Sequence, residues 1–190
     1  MSFIKQALAA TALLSLFAIP VSAEVVPVGH FDKIGLEGGG HIVVKYGPTQ
    51  RVTLLKGSTQ YTTFTIRQGN HLEIKACNSD CPHIYDLEIE IVTPRLDSAA
   101  IEGGGHIVAA SGFPSQDSFD AAVEGGGHID MQALAADRVE AAIDGGGHIE
   151  VTAGRTLHAA VDGGGSIVYH GDPHVSSAID GGGSVNKAAK

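Results

Sequence analysis

Glu124-Gly125-Gly126-Gly127-His128-Ile129 is one of six copies of a single phrase: an acid, three glycines, a His or Ser, and an aliphatic residue. The others are Glu37-Gly38-Gly39-Gly40-His41-Ile42, Glu102-Gly103-Gly104-Gly105-His106-Ile107, Asp144-Gly145-Gly146-Gly147-His148-Ile149, Asp162-Gly163-Gly164-Gly165-Ser166-Ile167 and Asp180-Gly181-Gly182-Gly183-Ser184-Val185. From first glycine to first glycine, the last five copies advance by 22, 20, 18 and 18 residues. A fixed period near 20 marks a solenoid, in which each repeat is a coil that stacks on the next.

The residues flanking the phrase supply the core. Before the acid stand Ser98-Ala99-Ala100-Ile101, Asp120-Ala121-Ala122-Val123, Glu140-Ala141-Ala142-Ile143, His158-Ala159-Ala160-Val161 and Ser176-Ser177-Ala178-Ile179. Phe119, Val139, Leu157 and Val175 precede the last four. Side chains of a strand alternate between faces, so Phe119, Ala121 and Val123 share one side, as do their equivalents in later copies. Beyond the glycines, Ile129 and Met131, Ile149 and Val151, and Ile167 and Tyr169 resume the alternation. Parallel stacking, about 4.8 Å per coil, turns these positions into aliphatic ladders. The predicted fold is all-β: a right-handed parallel β-helix, or solenoid, with about 18–22 residues per turn.

Upstream, the pattern is also strand-like, with Ile34 and Leu36, Ile42 and Val44, Leu72 and Ile74, and Leu87, Ile89 and Ile91 before Pro94. The first two phrases lie 65 residues apart, room for about three coils that have lost the signature. Residues 24–96 therefore read as a β-rich N-terminal part that caps the solenoid, and 97–190 as its regular coils.

Residues 1–23 have the features of a signal peptide: Lys5, an apolar run over 7–19 too short to span a bilayer, and Val21-Ser22-Ala23 before Glu24. The mature chain would then be periplasmic, on the cell surface or secreted, with no transmembrane segment. The formal net charge of −9 disfavours nucleic acid and anionic lipid as partners. Cys77 and Cys81 are the two cysteines. In an oxidising compartment they fit a local disulfide, while the nearby His83 leaves a metal cluster as the alternative.

The run Leu87-Glu88-Ile89-Glu90-Ile91-Val92-Thr93-Pro94-Arg95-Leu96, followed by a Gly-rich turn and an aliphatic strand, resembles the head GIN domain family of autotransporter adhesins. That resemblance implies an exported bacterial β-solenoid with no assigned catalytic residues. The Gly-Gly-Gly-His turn departs from the family's more usual Gly-Ser-Gly-Asp type.

The glycine triplets read as structural corners. No helix or lysine follows as a P-loop requires, and the copies do not supply the aspartate after Gly-x that the nine-residue repeat of a calcium β-roll needs. If the phrase stays extended, acid and His share an outward face, and stacking makes two columns. These are Glu37, Glu102, Glu124, Asp144, Asp162 and Asp180, and His41, His106, His128 and His148 continued by Ser166 and Ser184. His106, His128 and His148 with Glu102, Glu124 and Asp144 form a candidate metal set, with Zn2+, Cu2+ or Ni2+ on the imidazoles or Ca2+ on the carboxylates. Catalysis is disfavoured, because a repeated surface differs from a unique reacting constellation. A glycan-active β-helix enzyme is the weakest reading. The leading one is a non-catalytic, adhesin-like binding or structural module whose partner is a glycan, a surface polymer or another copy of itself.

Overall fold

The computed structural model describes residues 23–78 and 80–189, so all of the expected leader but Ala23 lies outside the described residues. Among those described there is no helix. The strands are β1 (Glu24–Val26), β2 (Lys33–Gly38), β3 (His41–Tyr46), β4 (Arg51–Lys56), β5 (Thr63–Arg67), β6 (His71–Lys75) and β7 (Glu88–Thr93). There follow β8 (Ser98–Gly103), β9 (His106–Ala109), β10 (Gln116–Gly125), β11 (His128–Gly145), β12 (His148–Gly163), β13 (Ser166–His170), β14 (His174–Gly181) and β15 (Ser184–Lys187).

The alternation expected from the sequence is realised. In β10, Phe119, Ala121 and Val123 are buried, while Asp120, Ala122 and Glu124 face water. β10 runs parallel between β8 and β11, with Val123 paired to Ile101 on one side and Ile143 on the other. The row extends from Leu36 through Ile101 and Val123 to Ile143, Val161 and Ile179. A second row, across the glycine corner, comprises Ile42, Ile107, Ile129, Ile149, Ile167 and Val185. Full burial of such a side chain stabilises by about 1.5–3 kcal/mol, which a single coil, wet above and below, could not obtain. Stacking is thus what makes each coil stable.

The corner between the rows explains two of its three glycines. The first glycine of each copy has φ between 98° and 119°, a region costly for residues with a Cβ. The third is pressed from the neighbouring coil: a methyl group on Gly147 would lie 2.5 Å from Val123 Cγ1 and 2.8 Å from the Gly127 oxygen. Hydrogen bonds carry the stack through the bend. Gly126 N–H donates to the Gly103 oxygen and His128 N–H to the Gly105 oxygen, both at 2.9 Å.

One expectation is corrected. The 65 residues between the first two phrases do not separate them by three coils. Glu37 pairs directly with Glu102, Gly38 with Gly103 and His41 with His106, so all six corners form one unbroken pile. The intervening chain folds back to the other side of the first coil. There β6 stacks parallel on β2, and β7 on β3. β5 closes that end antiparallel to β6, and β4 closes it antiparallel to β7, with β1 outside β4. Antiparallel edge strands use up the exposed backbone hydrogen bonds and stop further parallel addition. The N-terminal part is therefore one outlying coil plus a sealing layer.

In the β6–β7 connection, Cys77 and Cys81 are joined by a disulfide with their Cα atoms 5.6 Å apart. At the opposite end, among the described residues, β14 pairs only with β12 and β15 only with β13, and Ile179 is 46% exposed.

Candidate functional site

Outward-facing residues form columns along the pile, because strands in register repeat the same position every coil. On the strand before the corner lies the acid column, Glu37, Glu102, Glu124, Asp144, Asp162 and Asp180. Lys75 Nζ bonds Glu37 Oε1 at 2.5 Å and neutralises its first member. Two residues back runs a column of small residues, Gly35, Ala100, Ala122, Ala142, Ala160 and Ala178. Its last four members, Ala122, Ala142, Ala160 and Ala178, floor a shallow depression of about 450 Å³ also lined by Asp120, Glu140 and His158. Partial burial raises the Asp120 carboxyl above the ordinary range; Glu140, one coil on, adds to this and Lys33 opposes it.

The histidine column stands on the strand after the corner. Ring centroids are 4.9 Å apart for His41 and His106, 4.5 Å for His106 and His128, and 4.7 Å for His128 and His148. The column ends in Ser166 and Ser184, with Ser184 Oγ donating to Ser166 Oγ at 3.3 Å. Burial pushes His106 and His128 below the usual imidazole range, because charge is poorly solvated there. Neighbouring imidazoles push the same way, His128 and then His41 on His106, and His148 on His128. Asp130 opposes the shift for both, and Glu150 for His128.

The six residues read from the sequence as a metal set are thus brought together only in part. His106, His128 and His148 form a contiguous stack. Glu102, Glu124 and Asp144 stack with one another on the far side of the corner, because the phrase does not stay extended: its first glycine turns the chain. Among the described residues, no group of three His, Cys, Asp or Glu side chains is placed around a common point to hold a metal ion. The carboxylates that influence the imidazoles are Asp130 and Glu150, two positions beyond His128 and His148, on the same outward parity. That i, i+2 spacing was present in the sequence and is the signal that would have identified them. His170, which has no place in the repeat, bonds Glu150 Oε1 through Nε2 at 2.6 Å.

Between the two columns runs a ridge made of the middle glycines. A methyl group on Gly104, Gly126, Gly146, Gly164 or Gly182 would meet nothing within 4 Å, and the same holds for Gly39. Six consecutive corners therefore present backbone to solvent where the packing leaves room for a side chain.

Stacked coils, a glycine corner and an aliphatic lining define the molecule as a parallel β-solenoid. Residues 114–173 match the family model described as "Putative auto-transporter adhesin, head GIN domain", so the resemblance read from the sequence holds on the regular coils. The match does not take in 87–96, the run that first suggested it.

A "putative adhesin" from Bacteroides fragilis NCTC 9343 has the same fold, with a TM-score of 0.54 and 19% identity over 88% of this chain and 96% of that one. A "putative adhesin" from Parabacteroides merdae ATCC 43184 scores 0.43 at 14% identity, covering 88% of this chain and 96% of its own. A "putative cell adhesion protein" from Clostridium sporogenes ATCC 15579 scores 0.42 at 9% identity, covering 87% and 98%. No curated protein matches the chain. Among the described residues no helix is long and apolar enough to cross a membrane.

Proposed function

We propose that this chain is an exported, non-catalytic binding module of the bacterial envelope, adhesin-like in role, that engages a repetitive partner along its corner ridge. The observation that carries the reading is the bare middle glycine in every copy. Packing accounts for the first and third glycines of the phrase, and it places no demand on the second. A row of side-chain-free backbone, flanked by carboxylates on one side and imidazoles on the other, lets a chain-like ligand approach closely and meet the same chemistry at every coil. A surface glycan or polymer with its own repeat suits such a ridge, as does a second copy of the solenoid. The same repetition argues against an enzyme, which concentrates unlike groups at one place.

The test is binding of the purified chain to immobilised bacterial and host polysaccharides, with sedimentation velocity to detect self-association. Gly126→Gln, Gly146→Gln and Gly164→Gln combined should keep the strand-type circular dichroism spectrum and abolish the interaction. Retention of binding by that variant, or a parent protein that binds no polysaccharide and remains monomeric, overturns the proposal.

A further inference from the structure

The imidazole stack has a geometry that the adhesive role does not require. A metal ion about 2.0–2.1 Å from one nitrogen of each of two rings lies about 3.2 Å from each ring centroid. Centroids 4.5–4.9 Å apart, as in this column, then subtend about 90–100° at the ion. That angle lies between the cis angle of a square plane and the tetrahedral angle. The spacing of adjacent coils is thus compatible with one ion shared by two imidazoles, once the rings turn a nitrogen each toward it. Among the described residues, no protein group hydrogen-bonds the nitrogens of these four rings, whereas His170 is engaged by Glu150.

The four rungs are not equivalent. Two residues beyond His41 and His106 stand Val43 and Val108, but two beyond His128 and His148 stand Asp130 and Glu150. Asp130 accepts hydrogen bonds at 3.1 Å from the backbone N–H and from Nε2 of Gln132, which hold its carboxylate beside the stack. Glu88 and Glu90, in register beside His41 and Val43, are taken up by Lys56 and Lys45, and Asp130 bears on His106 as well as on His128. The His128–His148 pair is the one with an acid two residues on in both of its own coils.

We propose that His128 and His148 chelate one Cu2+, Zn2+ or Ni2+ ion across adjacent coils, with Asp130 and Glu150 supplying charge and water filling the remaining positions. Two protein ligands agree with the absence, among the described residues, of any group of three ligating side chains around a point. Ca2+ is disfavoured, because it requires an oxygen cage that the column lacks. The site shares the imidazole column with the ridge, but metal uptake and polymer binding are measured separately, so either can fail alone.

The experiment is calorimetric titration of the purified chain with Cu2+ and with Zn2+, together with electron paramagnetic resonance of the Cu2+ form. His128→Ser and His148→Ser are the informative variants, since the chain itself places Ser166 and Ser184 at this position and the coil tolerates them. One tight equivalent is expected, with hyperfine coupling to two nitrogens and a loss of affinity of about tenfold or more in either variant. Glu124→Gln and His158→Ser should bind as the parent does. No uptake of either metal, a signal from a single nitrogen, or equal loss on His158→Ser would overturn the site.

Discussion

At the residue scale, the three glycines of one phrase have different roles, and substitution separates them. Gly145 combines a φ of 119° with a Cβ position 2.6 Å from the Gly125 oxygen, a backbone atom that cannot move aside. Gly145→Ala should cost about 2–4 kcal/mol in urea unfolding, whereas Gly146→Ala should stay within about 0.5 kcal/mol of the parent. Asp120 gives a pH-dependent counterpart. Its folded pKa is raised above the unfolded value of 3.8, so the native state holds the proton more tightly. Below that value the group is neutral in both states and contributes no difference. As pH rises through the folded pKa, its charge becomes a cost that persists at neutrality. Asp120→Asn should therefore raise the melting temperature at pH 7 and lose that advantage at about pH 3. The equivalence of the six phrases was legible in the residues, but which glycine was sterically required was not. That distinction depends on contacts from a neighbouring coil, such as Val123 against Gly147.

At the scale of elements, alternation in β10 through β12 was enough to assign the buried face, because each strand has one side toward a shared lining. The placement of the acid column was not legible. A strand that continued through the phrase would have set Glu124 and His128 on one face, and the positive φ of Gly125 sets them apart. The disulfide belongs to this scale too. Cys77 and Cys81 close a loop with a sequence separation of four, so their bond removes little chain entropy. Loop closure of that size is worth about 2 kcal/mol. Cys77→Ser with Cys81→Ser should lower stability by up to that amount and leave the circular dichroism spectrum unchanged. A larger loss would show that the β6–β7 coil depends on the clamp.

At the scale of the molecule, the regular coils were readable because their partners follow one another in sequence, each phrase stacking on the next. The N-terminal part was not, because its pairing partners are distant and out of order. β2 neighbours β6 and β8; the phrase that starts at Glu37-Gly38 is shared with β8, but no pattern in Lys33–Gly38 records β6. What marked the region as a cap was only the loss of the phrase, which says nothing of strand direction. Gln50 shows how such a region is secured: its amide bonds both the N–H and the oxygen of Phe31, at 3.2 and 2.7 Å, standing in for a missing strand.

The interleaving of β2 and β3 between β6–β7 and β8–β9 also constrains how the protein is born. β2 and β3 are synthesised before either of the layers between which they lie. They must wait for the seal to be laid down beneath them before anything can be added above. Once that foundation is complete, growth proceeds in one direction, each newly delivered segment finding its template already in place.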